Sequence, residues 1–281
     1  MTGYCSLRFD IDTIADIKSG VPSLLELADK ENIPFSFYVN PGRAVDYREI
    51  LRNTRNQNQN KEAKLSNFQK LGAWYWLKTI FLNPEIGKRH ESILQSVLKQ
   101  GHELGLHGGT NHGTWQRSSQ VENNLHTLLT PAMEWFENKF GIPAGFTSPG
   151  FRKIETAYPL LKKWGVRYIS DTIDLHYKSQ PSLLQENNIT DIPCIATRNG
   201  IPLLENAFAQ GEDLNTTIEN FVKDISNRQW FILYGHPSFE GKKAKNYLTR
   251  LIREVKLLGF NFHTVEKFSK KQGLYNNANI E

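Results

Sequence analysis

The chain has 281 residues, 34 Lys and Arg against 29 Asp and Glu, a formal charge of +5, and two cysteines. That length buries a core without disulfides or a structural metal, and two lone thiols, Cys5 and Cys194, suit a reducing compartment. No apolar run is long enough to span a bilayer, and the N-terminus "MTGYCSLRFDID" lacks the basic and apolar regions of an export signal, so a cytoplasmic location is expected.

Taken in chain order, short apolar runs alternate with helical stretches. "YCSLRFDI" reads as a strand, and "GVPSLLELADKENI" as a helix with Val21, Leu24, Leu25 and Ala28 on one face. "PFSFYV" is a second strand. A polar tract, Arg52 to Lys64, then leads into "LSNFQKLGAWYWLKTIFLNPEIGKRH", where Leu65, Phe68, Trp74, Leu77 and Phe81 mix with Lys70, Lys78 and Arg89. This insertion, at about 52–86, is either a helix packed on the rim of the fold or an amphipathic element meeting anionic lipid. "HESILQSVLKQG" is a helix and "HELGLH" a strand. The Gly/Thr/Asn-rich stretch after it is a poor helix former. "VENNLHTLLTPAMEWFENKFG" is helical in outline, kinked or split at Pro131. "AGFTS", the helix "IETAYPLLKKWG" and the strand "VRYIS" follow. Two further helix–strand pairs end in "QWFILYGH" and "FNFHTV". This alternation predicts βαβ units and a parallel sheet, in one barrel-like domain over residues 1–281.

In such barrels the chemistry gathers at the C-terminal ends of the strands. Asp10 and Asp12 lie at the first exit, and period-two spacing puts both on one face. Their mutual repulsion is relieved by a cation. His107 and His112 follow a later strand, and His236 leaves another. Two imidazoles and a carboxylate are the ligand set of catalytic zinc and related divalent sites. A second carboxylate as base and a distant histidine as acid complete the requirements for metal-assisted hydrolysis of an amide or ester. His90, His126, His176 and His263 read as structural or solvated. The phosphatases that form an aspartyl-phosphate need a later paired-acid motif that is missing, and the dispersed basic residues match no nucleic-acid reader.

The order "FDID", "GHELGLHGGTNH", "FTSPGFR", "YISD" and "LYGH" resembles the NodB-like polysaccharide deacetylases, carbohydrate esterase family 4. "LRFDIDT", "GHELGLH" and "HPSFEG" are similar to the branch of the deformylases of 4-deoxy-4-formamido-L-arabinose-phosphoundecaprenol. The resemblance runs from Ser6 to about Thr264. It implies a distorted (β/α)7 TIM-like barrel and a divalent metal, most often zinc, with Co2+, Mn2+ and Ni2+ as alternatives. It implies Asp10 as general base, Asp12, His107 and His112 as metal ligands, and Asp171 as support for the acid His236. Pro149, Gly150 and Phe151 would line the substrate groove. The family usually has three residues between its histidines; here there are four, so Asn111 competes with His112 for the metal. Thr147 stands where an arginine is usual, which leaves Arg152 as the candidate to hold Asp10. The expected reaction is removal of a formyl or acetyl group from an amino sugar, on a polyprenyl-phosphate or nucleotide carrier. A metal-free sugar- or lipid-binding barrel is the competing expectation. The lysine- and aromatic-rich insertion suggests peripheral contact with inner-leaflet lipid.

Overall fold

Strand β1 (Gly3–Ile11) alternates Cys5, Leu7, Phe9 and Ile11 with Ser6, Arg8 and Asp10, and all seven are buried. Both faces are therefore covered, as for a central parallel strand. The apolar file packs beneath the surrounding helices, with Leu24, Val97 and Leu251 in the same core. The polar file points into the interior of the curl, which holds a smaller cluster containing Tyr38, Tyr168, Cys194 and Tyr234.

The computed structural model describes residues 3–47, 72–177, 179–180, 182–184 and 189–271. After β1 a π-helical turn (Asp16–Gly20) leads into α1 (Val21–Glu31), then β2 (Ser36–Val39), α2 (Ala73–Phe81), α3 (Glu91–Lys99) and β3 (Glu103–His107). Next come α4 (His112–Arg117), α5 (Leu125–Phe140), β4 (Gly145–Thr147), α6 (Tyr158–Lys163) and β5 (Tyr168–Ile169). They are followed by β6 (Ser182–Leu184), β7 (Ile189–Asp191), α7 (Leu203–Gln210), α8 (Leu214–Ile225) and β8 (Trp230–Gly235). α9 (Lys245–Leu257), β9 (Phe260–Phe262) and α10 (Val265–Lys271) end the described chain.

The strand order is β6-β7-β5-β4-β3-β2-β1-β8, with β9 also on β1. Isolated bridges from Ile173 to Cys194 and from Ile195 to Leu233 bring the far edge round to β8, curling the sheet into the expected distorted barrel. Gly105 and Gly145 line its interior; a Cβ at either would lie 2.5 or 2.2 Å from the ring of Tyr38 or Tyr168. Small residues there let the two rings cross the lumen. α10 seals the lower end, where Ser36 Oγ and Glu103 accept hydrogen bonds from the Val265 and Glu266 amides.

Three features depart from the sequence expectations. The sheet is parallel except for β6, which runs antiparallel to β7. α5 is one helix through Pro131, not split there, where a kinked or split helix was expected. Its buried face of Leu125, Leu128, Leu129, Ala132, Met133 and Phe136 gains about 1.5–3 kcal/mol per large side chain, which outweighs a proline cost of about 3 kcal/mol. The Gly/Thr/Asn-rich stretch after β3 does form a helix, α4, because Asn111 caps it: its Oδ1 accepts from the Thr114 amide at 3.0 Å.

Most of the insertion, including Leu65, Phe68 and Leu71, lies outside the described residues. In α2, Tyr75 packs on the core and Thr79 is buried, while Trp74, Leu77 and Phe81 face outward. No helix among the described residues is long and apolar enough to cross a membrane.

Candidate active site

The site lies where β1, β3 and β8 end. Asp12, two residues past Asp10 on the inward file, meets His107 from the last position of β3 and His112 from the first turn of α4. His107 Nε2 is 3.1 Å from Asp12 Oδ1, and His112 Nε2 is 3.4 Å from Asp12 Oδ2. One ligand atom from each residue lies within 4.8 Å of the others. Although buried, neither Asp12 Oδ1 nor His112 Nε2 makes a hydrogen bond. Buried polar atoms are normally bonded, so lone pairs converging on one point fit a cation. Burial opposes charge on Asp12, but His112 and His107 outweigh it and hold its pKa well below the usual carboxylate range. Asn111 is engaged in capping α4, so the geometry brings His112 to Asp12.

Thr147 contributes to this cluster. It pairs with His107 across β3 and β4, and its Oγ1 is 2.7 Å from His107 Nδ1, with Asp10 Oδ2 at 3.5 Å. Those oxygens favour the proton on Nδ1 and leave the Nε2 lone pair facing Asp12, the orientation that ligating histidines take from their outer partners.

Asp10 is held by an arginine that the sequence reading did not single out. Arg8, fully buried, donates through Nε to Oδ1 at 3.0 Å and through Nη2 to Oδ2 at 2.6 Å. Its third nitrogen donates to the Ser170 carbonyl and to Ser170 Oγ and lies 3.4 Å from Cys194 Sγ. The rings of Tyr38, Phe151 and Tyr234 sit 5.1 to 5.5 Å from the guanidinium carbon. A planar fork with aromatic faces around it suits Arg and not Lys. Arg152, expected to hold Asp10, instead bonds the carbonyls of Trp115 and Ser118, pinning the end of α4 to the loop after β4. The period-two pattern carried the signal: Arg8 and Asp10 share one face of one strand, so no distant arginine is needed.

The acid position has a different partner from the one expected. His236 Nδ1 is 2.8 Å from Glu205 Oε2, on α7. Asp171 instead accepts from the amide and Oγ of Ser148, both at 2.6 Å, bracing the turn at Pro149–Phe151. Burial, together with the charge of Asp191, raises Asp171 to about 6. In that turn Gly150 and Phe151 have φ of +65° and +57°. For phenylalanine this is a strained conformation, held by ring contacts to Arg8 and Tyr234.

His236 Nε2 is 3.5 Å from Asp12 Oδ2 and 2.7 Å from the Tyr234 hydroxyl. Two further carboxylates fix the loops. Asp16 accepts from the amides of Asp12 and Thr13 with one oxygen and from the Ser238 amide with the other, joining the ends of β1 and β8. Glu240 accepts from the His236 amide at 2.7 Å, and burial, followed by the charge of Glu205, raises it to about 8.

No family model matches the chain. A curated protein of Shewanella sediminis (strain HAW-EB3), "Probable 4-deoxy-4-formamido-L-arabinose-phosphoundecaprenol deformylase ArnD", is 30% identical over 170 residues. That match takes in 59% of this chain and 55% of the relative, so the chain spans about half the length of that protein. A Mycobacterium smegmatis structure described as a polysaccharide deacetylase aligns with a TM-score of 0.63 at 17% identity, covering 96% of this chain and 90% of its own. A Pseudomonas aeruginosa PAO1 structure described as a probable polysaccharide deacetylase gives 0.59 at 12%, covering 97% and 92%. At those identities the two structures speak for the fold. The chain is thus similar in fold to polysaccharide deacetylases and similar in sequence, over about half of that relative's length, to the formamido-arabinose deformylase.

Proposed function

We propose that the chain is a metal-dependent hydrolase that removes an N-formyl or N-acetyl group from an amino sugar. One observation carries the reading: the Asp12–His107–His112 cluster lies between a carboxylate tethered by Arg8 and a histidine paired with Glu205, at the strand ends. Asp12, His107 and His112 would hold a divalent cation, and a nitrogen–nitrogen–oxygen set suits zinc and its neighbours. Such a cation would supply Lewis acidity to the acyl carbonyl.

The protein's own groups do the rest. Asp10, its two oxygens fixed by the Arg8 fork, is the base that takes a proton from the attacking water. His236, oriented through Nδ1 by Glu205, is the acid that delivers a proton toward the departing nitrogen. Pro149 and Phe151, on the turn braced by Asp171, form the adjoining wall of the groove. Asp10, His107 and His236 are each at most 6% exposed, which keeps bulk water from the proposed reacting centre.

A lipid-linked sugar is the favoured substrate. The relative in Shewanella is named for an undecaprenyl-phosphate-linked substrate. In addition, α2 presents Trp74 (64% exposed), Leu77 and Phe81 (76%) outward, with the Lys78 ammonium 4.6 Å from the Trp74 ring. Aromatics and a lysine on one exposed face suit the interface of an anionic bilayer. The reading predicts about one divalent ion per chain by elemental analysis, and release of formate or acetate from N-acyl amino sugars. Absence of metal under every loading condition, with no acid released, would leave a sugar- or lipid-binding barrel as the better account.

A further inference from the structure

We propose that Tyr234 is a catalytic residue of this site, its hydroxyl carrying the proton from His236 to the leaving nitrogen. This rests on the N-deacylase reading above. An imidazole has two nitrogens, and in His236 one is already committed: Nδ1 faces the Glu205 carboxylate at 2.8 Å, an acceptor only, and so carries a proton. Nε2 alone is left to serve the reaction, and the Tyr234 hydroxyl lies 2.7 Å from it. Residues 234 and 236 are two apart where β8 ends, so both point into the same mouth.

The phenol is built to stay in place and to stay protonated. Its ring meets Phe151 edge-on at 5.1 Å, lies 5.2 Å from the Arg8 guanidinium carbon, and crosses the His236 ring at 70°. Burial, with the charges of Asp10 and Asp12 adding to it, pushes the phenol well above its ordinary value. A hydroxyl is both donor and acceptor, so it can take a proton on one lone pair while releasing another. In the transfer the His236 Nε2–H bond breaks as a bond forms to Tyr234 Oη. In the same motion the original Tyr234 O–H proton bonds to the substrate nitrogen as the acyl C–N bond breaks. The electron pair of that bond stays on nitrogen, the phenol ends as it began, and His236 ends neutral.

The test compares Tyr234→Phe with wild type on an N-formyl or N-acetyl amino sugar and on a p-nitrophenyl ester, whose leaving group departs without a proton. Phenylalanine keeps the ring contacts, and ester turnover serves as the internal control for folding. We expect amide kcat to fall about 100-fold with KM within about threefold, and ester turnover to stay within about twofold. The solvent proton inventory on the amide should change from two protons in flight to one. An unchanged amide-to-ester ratio in Tyr234→Phe, with wild type active on the amide, overturns the relay alone. A wild type that cleaves no sugar amide overturns the N-deacylase reading, and the relay with it.

Discussion

Replacing Arg8 with methionine tests how the proposed base is held. Asp10 is 1% exposed, and its close cation is Arg8, bonded to both carboxylate oxygens. Two unit charges about 4 Å apart at an effective dielectric of about 20 attract by about 4 kcal/mol. Removing one partner of a buried pair costs about 3–5 kcal/mol, because the other charge is left uncompensated. At about 2–4 °C per kcal/mol for chains of comparable length, Tm should fall by about 6–20 °C. The assay is a double-mutant cycle by urea unfolding with Arg8→Met, Asp10→Asn and both together. Since the main cost is the stranded carboxylate, the double variant should regain about 2 kcal/mol or more of the Arg8→Met loss. Arg8→Lys, which keeps the charge but not the fork, should fall between. A loss under about 1 kcal/mol for Arg8→Met, or strict additivity in the cycle, would refute the tether.

The remaining predictions follow from the other groups of the site. His107→Ala and His112→Ala should each lose the bound ion by elemental analysis, whereas Asn111→Ala should keep it and cost about 1 kcal/mol of stability as a lost helix cap. Glu240, raised to about 8, binds in the folded protein a proton that the unfolded chain releases near 4.5, so its contribution is complete below about 4.5 and is lost as pH rises through about 8. Urea midpoints should therefore decline across that window in wild type and decline less in Glu240→Gln; equal slopes would exclude Glu240 as the cause. Trp74→Ser with Phe81→Ser should weaken sedimentation with anionic phosphatidylglycerol vesicles and leave turnover of a water-soluble amino-sugar amide unchanged, and undiminished vesicle binding would remove α2 from the interface.

Local pattern accounts for much of what could be read in advance. The apolar run of β1 announced a strand, and the ends of such strands pointed to Asp10, Asp12, His107 and His236. Their positions follow from period-two geometry, a property of neighbouring residues, and the structure brings all four together. His112 was legible only as one of two candidates. What brings His112 rather than Asn111 to Asp12 is the cap of α4, which the composition of that stretch concealed.

Partner choice could not be read in the same way. Glu205 sits in α7, whose "LLENAFAQ" looks like any half-buried helix turn, 31 residues before His236. Only the curl of the sheet, which brings the segment before α7 round to β8 through the Ile195–Leu233 bridge, sets that carboxylate against the imidazole. Asp171 ends a strand and looked equally suited, yet its orientation directs both oxygens to Ser148. Arg8 shows the converse: its face was fixed by its own strand, while its role required Ser170, Cys194 and three aromatic rings from separate strands and loops to close around it. The sequence by itself determined which groups reach the mouth of the barrel, because side-chain direction along a strand is local. The tertiary structure alone decided which group each one meets, because those pairings join residues far apart in the chain through the closure of the sheet.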